Sequence, residues 1–151
     1  MQRLIILSLI IFVTFGFCRS SQDKTTRQTF TDTITRVEMN LSAFGVESDD
    51  FPSIDALIDF SNDSSICKKS YYNPAFNPST YKLSKTELKN VLQLLQASDL
   101  DKLKTDYKVA RTDQPTSTTK IYTTQKTYVI KDYGLEGDYP LKELYKIVYK
   151  L

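Results

Sequence analysis

The side chains of this chain that could do chemistry are carboxylates and two thiols. Asp49, Asp50, Asp55 and Asp113 could supply a hydrolase with paired aspartates, which needs two carboxyl groups roughly 5 to 10 Å apart flanking a cleft. Nothing in their spacing places any two of them together, so a solvated acidic loop and a turn-forming Asp113 are the competing reading. Asp59-Phe60-Ser61-Asn62-Asp63-Ser64-Ser65 carries oxygen side chains at alternate positions, as a calcium loop does. Its sixth position is Ser64 rather than Gly and its twelfth is Ser70 rather than Glu, which removes the sharp turn and the bidentate ligand, so a hydrogen-bonded hairpin turn is expected there. The absence of histidine excludes Ser-His-Asp and Cys-His nucleophilic systems and most zinc and iron sites. The four glycines, at 16, 45, 134 and 137, form no phosphate-binding fingerprint. Neither a cofactor nor a metal is expected.

The thiols are Cys18 and Cys67. Residues 1 to 17 place Arg3 before an almost unbroken apolar run from Leu4 to Phe17, the pattern of an export signal and shorter than the roughly 20 residues a membrane span needs. Cys18 closes that run ahead of the polar Arg19-Ser20-Ser21-Gln22-Asp23-Lys24, so a lipoprotein signal with Cys18 as the lipid-attachment residue is expected. Ordinary cleavage after Cys18, with Gly16 and Cys18 as the small residues, and a retained anchor are the alternatives. The protein is then lipid-anchored in the cell envelope or secreted. With Cys18 lipidated or removed, Cys67 has no partner in the chain, and a buried small hydrophobe is its ordinary role.

Net charge is +2, and removal of Arg3 with the signal leaves +1. Lysines are interspersed with acids, so the concentrated basic face on which nucleic-acid binding depends is missing. The acids are less evenly spread: Glu47, Asp49, Asp50, Asp55, Asp59 and Asp63 occur with no base between Phe44 and Ser65. Ten tyrosines and no tryptophan raise a second surface, around Tyr71, Tyr72 and Phe76, because tyrosine supplies contact area at small entropic cost.

The elements that must position these groups follow from periodicity. Residues 18 to 32 are polar and aperiodic, a flexible tether, and 33 to 151 form a single domain. Thr35, Val37, Met39, Leu41 and Ala43 alternate with polar residues, as do Ile54, Ala56, Ile58 and Phe60, giving two strands with one wet face each. Ser61 to Ser64 turns the chain, and Ile66 to Tyr72 returns as a third strand whose Lys68-Lys69 pair suits an exposed or edge position. Asn73 to Pro78 is a loop, and Thr80 to Leu83 an extended lead into a helix. That helix is announced by Ser84 and Glu87 as a capping box, by Leu83 and Leu88 as a staple, and by an apolar stripe of Leu88, Val91, Leu92 and Leu95. Leu100 and Leu103 cover a short helical turn, and Asp106 to Ser117 is irregular. Thr118 to Gln125 and Lys126 to Tyr133 form a hairpin in which Thr124 opposes Thr127, Ile121 faces Ile130 and Tyr122 faces Val129. After the break at residues 134 to 139, Pro140 opens a last helix with Leu141, Leu144, Tyr145, Val148 and Leu151 on one face. The expected architecture is α+β: an antiparallel sheet of about five to six strands with two main helices on one face.

With these elements in place the chain resembles a family of small exported bacterial domains, often behind a lipoprotein signal, classed only as a domain of unknown function. The resemblance runs from about Ile34 to Leu151. It is carried by Phe44-Gly45, Leu83-Ser84 with Glu87, Tyr107 followed by Asp113-Gln114-Pro115-Thr116, Lys131-Asp132-Tyr133, and Pro140 with Leu144. It implies export and an α+β fold and no known reaction. Family members commonly place a Cys-Pro after the Phe-Gly; Val46 to Phe51 holds no cysteine, which speaks against a cysteine-based role in this chain. The function expected is therefore a non-catalytic interaction module for a protein or other envelope component, with Asp49, Asp50, Asp55, Tyr71, Tyr72 and Phe76 as partner-binding candidates. A hydrolase using paired aspartates and a small inhibitor or immunity-type protein are the alternatives.

Overall fold

The computed structural model describes residues 32–151; the expected signal, Cys18 and all but the last residue of the expected tether lie outside the described residues. Seven strands form one sheet: β1 (Ile34–Ser42), β2 (Ser53–Asp59), β3 (Ser64–Ser70), β4 (Ser79–Tyr81), β5 (Asp106–Lys108), β6 (Thr116–Thr123) and β7 (Thr127–Tyr133), in the order β4-β3-β2-β1-β6-β7-β5. Two helices, α1 (Lys85–Gln96) and α2 (Leu141–Val148), join it, with a single 3₁₀ turn at Leu100–Lys102. The sheet is thus larger than expected, and α+β describes it only coarsely.

β4 falls on the stretch expected as an extended lead into the helix, and β5 is the strand outside the expected count. β4 and β5 are three residues each, too short to show a period of two, and β5 pairs with β7 in parallel, so the sheet is not wholly antiparallel. Tyr107, within the segment expected to be irregular, is buried by that pairing. β4 takes the edge position, which leaves β3 with its Lys68-Lys69 pair one strand inside.

The central strand β1 lies between β2 and β6. Its inward residues Val37, Met39 and Leu41 join Ile54, Ala56, Ile58, Cys67, Ile121 and Ile130 in one buried layer. Helix α1 packs Leu88, Val91 and Leu95 on that layer, and α2 adds Leu141, Leu144, Tyr145 and Val148. Burying each aliphatic side chain contributes about 1.5 to 3 kcal/mol. The capping box is formed as expected: Glu87 N–H donates to Ser84 Oγ at 3.2 Å and Ser84 N–H to the Glu87 carboxylate at 2.7 Å, while Leu83 and Leu88 are both buried as the staple requires. Leu92 is only partly buried at the edge of the stripe. Leu151 lies beyond the end of α2 and is exposed, and Tyr149 takes the buried place expected of it.

The β6–β7 hairpin differs from expectation by two residues of register. Tyr122 opposes Thr127 and Thr119 opposes Ile130, so four residues, Thr123 to Lys126, turn the chain. The cause is Thr123, whose hydroxyl accepts from the N–H groups of Gln125 and Lys126 at 3.3 and 3.0 Å and stabilises the wider turn that Gln125-Lys126 cannot make as a two-residue loop. A shift of two keeps every side chain on its face, and Ile121 and Ile130 remain inward.

Candidate functional site

The pairings Ser53 with Ser70, Ser42 with Thr116, Thr116 with Tyr133, and Tyr133 with Lys108 bring six strand ends, those of β1, β2, β3, β5, β6 and β7, together at one end of the sheet. The loops at 43–52, 71–78, 109–115 and 134–140 all emerge there. The turns at 60–63 and 124–126 emerge at the other end. Asp59 belongs to that far end: its carboxylate accepts from Ser61 N–H at 2.9 Å and Asn62 Nδ2 at 2.7 Å, closing the hairpin turn. Chiefly the Ser61 hydroxyl, and then Asn62, hold the Asp59 carboxyl below its usual value.

Between the 43–52 loop and the end of β3 lies a cavity of about 480 Å³, lined by Phe44, Gly45, Phe51, Tyr71 and Tyr72 with Asp49 at its lip. This is the size of ligand pockets in general. Gly45 at φ +86° closes the turn that presents Phe44, with Val46 N–H donating to the Ala43 carbonyl at 3.0 Å. The loop is tied to β2 by Ala43 N–H donating to Ser53 Oγ at 3.1 Å. Asn73 Nδ2 donates to Asp49 Oδ2 at 3.2 Å, linking the two loops across the cavity mouth. Phe76 stands against Tyr71 with ring centroids 5.2 Å apart, a tilted aromatic pair that stiffens one wall. Phe44 is 93% exposed and Tyr72 96% exposed.

The sequence-derived candidates therefore fall in three places. Asp49, Tyr71 and Tyr72 meet at this cavity together with Phe44 and Gly45; Phe76 backs it, and Asp50 sits on the same loop with Ser48 Oγ donating to its carboxylate. Asp55 is elsewhere. It points to the sheet face opposite the helices, accepts from Asn40 Nδ2 at 2.6 Å, and lines a shallow groove of about 600 Å³ with Glu38, Leu57, Ile66, Lys68 and Lys120. Asp113, at φ +58°, and Pro115 lie in the 109–115 loop on the β6 side. No three of the acids and thiols of the described residues are grouped as a metal site. Cys67 is wholly buried beneath the helices, where burial pushes its thiol up, against the smaller effect of the Tyr81 hydroxyl.

Several residues important to the loop end were not singled out individually as site residues by sequence reasoning. Asp132 is 0% exposed and carries three hydrogen bonds: Gly137 N–H at 2.7 Å and Tyr145 OH at 2.9 Å donate to Oδ2, and Glu136 N–H at 3.1 Å donates to Oδ1. This buried carboxylate anchors the 134–140 loop and the start of α2 to β7. Burial first, then the Asp132 charge, raises the Tyr145 hydroxyl far above its usual value, so it remains a donor. Beside it Ser117 Oγ and Tyr149 OH are 2.9 Å apart, and the Tyr145 and Tyr149 rings stack at 5.6 Å. The same end is braced by Gly134 N–H donating to the Pro115 carbonyl at 2.9 Å and Gln114 N–H to Tyr133 OH at 3.3 Å. The available signal was position: Asp132 is two residues from the inward Ile130 in an alternating strand, a place where a carboxylate must find donors.

Residues 49–151 match the model of DUF6438, a domain of unknown function. The chain belongs to this family. No curated protein and no solved structure matches the chain. The DUF6438 match begins at Asp49, so it spans β2 to the C-terminus, including Asp113-Gln114-Pro115-Thr116 and Lys131-Asp132-Tyr133, and leaves out β1 with Phe44-Gly45. Within the DUF6438 segment these two stretches are the ones that brace each other across β6 and β7. No helix among the described residues is long and apolar enough to cross a membrane.

Proposed function

We propose that this DUF6438 protein is a non-catalytic binding module of the cell envelope, tethered through Cys18 or secreted, that engages a protein or other envelope component with the loop end of its sheet. The observation that carries this reading is the pair of aromatic side chains, Phe44 and Tyr72, held 93% and 96% exposed on either side of one cavity. Large aromatic groups left in water on adjoining loops are a feature of recognition surfaces, where Tyr and Phe supply the anchor contacts. The opposite sheet face supports the reading by contrast. The charged groups around Glu38 there satisfy one another, with Glu38 taking Arg36 at 3.3 Å and Lys120 at 3.9 Å and accepting from Tyr122 OH at 2.9 Å, as on a solvated face. The binding reading is preferred to a paired-aspartate hydrolase because Asp49 is the single carboxylate in the cavity lining.

The test is capture of partners from envelope extract on immobilised protein. A Phe44→Ser, Tyr72→Ser double variant should lose the partners retained by the wild type, while a Leu57→Ser, Ile66→Ser variant on the opposite face should retain them. The reverse pattern would move the binding surface to the open sheet face and end this reading.

A further inference from the structure

Resting on that reading, we infer that the loop-end cavity receives a cationic side chain, lysine or arginine, from an exposed basic segment of a partner protein. Four aromatic rings, Phe44, Phe51, Tyr71 and Tyr72, line it, and an aromatic face attracts a cation through its quadrupole. The two loops that form it, 43–52 and 71–78, contain the acids Glu47, Asp49 and Asp50 and no lysine or arginine. All three acids are exposed, so the rim is negative as well as aromatic. Asp49 is held at the lip by Asn73, which donates to Oδ2, and an exposed carboxylate has further acceptor capacity for an incoming ammonium or guanidinium. The protein's own Lys69 already stands at this wall, its Nζ 5.4 Å from the centre of the Tyr71 ring, within cation–π range. Lys69 is then an internal competitor, and its removal frees that ring.

The experiment is a ¹H–¹⁵N titration of the labelled protein with four probes: acetyl-Gly-Lys-Gly-Lys-Gly-amide, its arginine counterpart, its glutamate counterpart, and tetramethylammonium chloride. The basic peptides should shift the amides of Phe44, Gly45, Asp49, Tyr71 and Tyr72, and less so at high salt because exposed charges are screened beyond about 8 Å at physiological ionic strength. Tyr72→Ala and, separately, Asp49→Asn should each weaken binding about three- to tenfold, the size expected of one cation–π or charge-assisted contact. Lys69→Met should tighten it. Binding of tetramethylammonium alone at the same amides would also support the cationic class, and would assign the recognition to the rings rather than to peptide backbone. Equal binding of the glutamate peptide at the same amides would overturn the cationic class and leave the loop end as the binding surface. Shifts centred on Leu57, Ile66, Lys68 and Lys120 would overturn both. No shift at millimolar concentrations of any probe would overturn the cationic inference, while the capture experiment decides the broader reading. Because Asp49 and Tyr72 are exposed, neither variant removes core packing, and a dispersed spectrum of each checks the fold.

Discussion

Replacing Tyr145 by Phe removes a single hydroxyl from the middle of the helix–sheet interface and should cost more stability than its chemistry suggests. Tyr145 is 4% exposed, and its OH donates to Asp132 Oδ2 at 2.9 Å. The ring survives the substitution, and with it the stacking on Tyr149, so no cavity of consequence opens. What is lost is one of three hydrogen bonds to a carboxylate with 0% exposure. A hydrogen bond to a charged group is worth about 1.5 to 3 kcal/mol, against about 0.5 to 1.5 for a neutral one. Tyr149→Phe provides the internal comparison, since its hydroxyl meets the neutral Ser117 Oγ at the same 2.9 Å. Equilibrium urea unfolding should therefore give a loss of about 2 kcal/mol for Tyr145→Phe and about 1 kcal/mol for Tyr149→Phe. The loss should also be local: the amides of Glu136 and Gly137, which share Asp132 with Tyr145, should exchange with solvent faster in Tyr145→Phe and unchanged in Tyr149→Phe. Equal losses in the two variants, or a loss under about 0.5 kcal/mol for Tyr145→Phe, would refute the assignment of Asp132 as a charged brace for the 134–140 loop.

Three further outcomes are expected. Gly137→Ala should destabilise the domain by about 1 to 3 kcal/mol in the same assay, because an added Cβ would stand 2.7 Å from Asp132 Oδ2 and 2.6 Å from Leu141 Cδ1; an unchanged midpoint would show that the loop moves aside freely. Ser84→Ala should cost about 1 kcal/mol as a lost cap, Leu95→Ala, 1% exposed, about 2 to 5 kcal/mol, and the half-buried Leu92→Ala less than Leu95→Ala, an order that a reversed ranking in denaturant melts would disprove. The Ser84 backbone N–H first, then the Ser84 hydroxyl and Lys150, hold the Glu87 carboxyl below its usual 4.5. A carboxyl lowered in the folded state adds stability that is present above the unfolded value and lost as pH falls through the folded one. Glu87→Gln, which keeps the capping box, should therefore flatten the fall in stability below about pH 4.5, and an identical acid profile would contradict this.

Helix α1 was legible because everything that starts it is local: Ser84, Glu87, Leu83 and Leu88 lie within six consecutive residues and satisfy one another without help from the rest of the chain. The same holds for β2 and for β1 from Val37 onward, where alternation alone separates a buried from a wet face; the burial of Ile34 follows instead from a register shift against β6 between Ile34 and Arg36. The β6–β7 hairpin was legible in face but not in register, since two registers differing by two residues bury the same side chains and only the Thr123 turn chooses between them. β5 was illegible: three residues in parallel with a strand some twenty positions later carry no pattern of their own.

The candidate site divides in the same way. The types of its residues, aromatics and an acidic segment free of bases, were written in the chain, and so was the exclusion of histidine chemistry, whereas the exposure of Phe44 and its place beside Tyr72 were not. Their grouping was not. Asp49 and Tyr72 meet because β2 pairs with β3 through Ser53 and Ser70, whereas Asp55, six residues from Asp49, is carried to the opposite face of the sheet by the strand's period of two. Strand pairing at long sequence separation, driven by burial of one common apolar layer, decides which loops share an end of the sheet, and no local pattern in the chain records that choice.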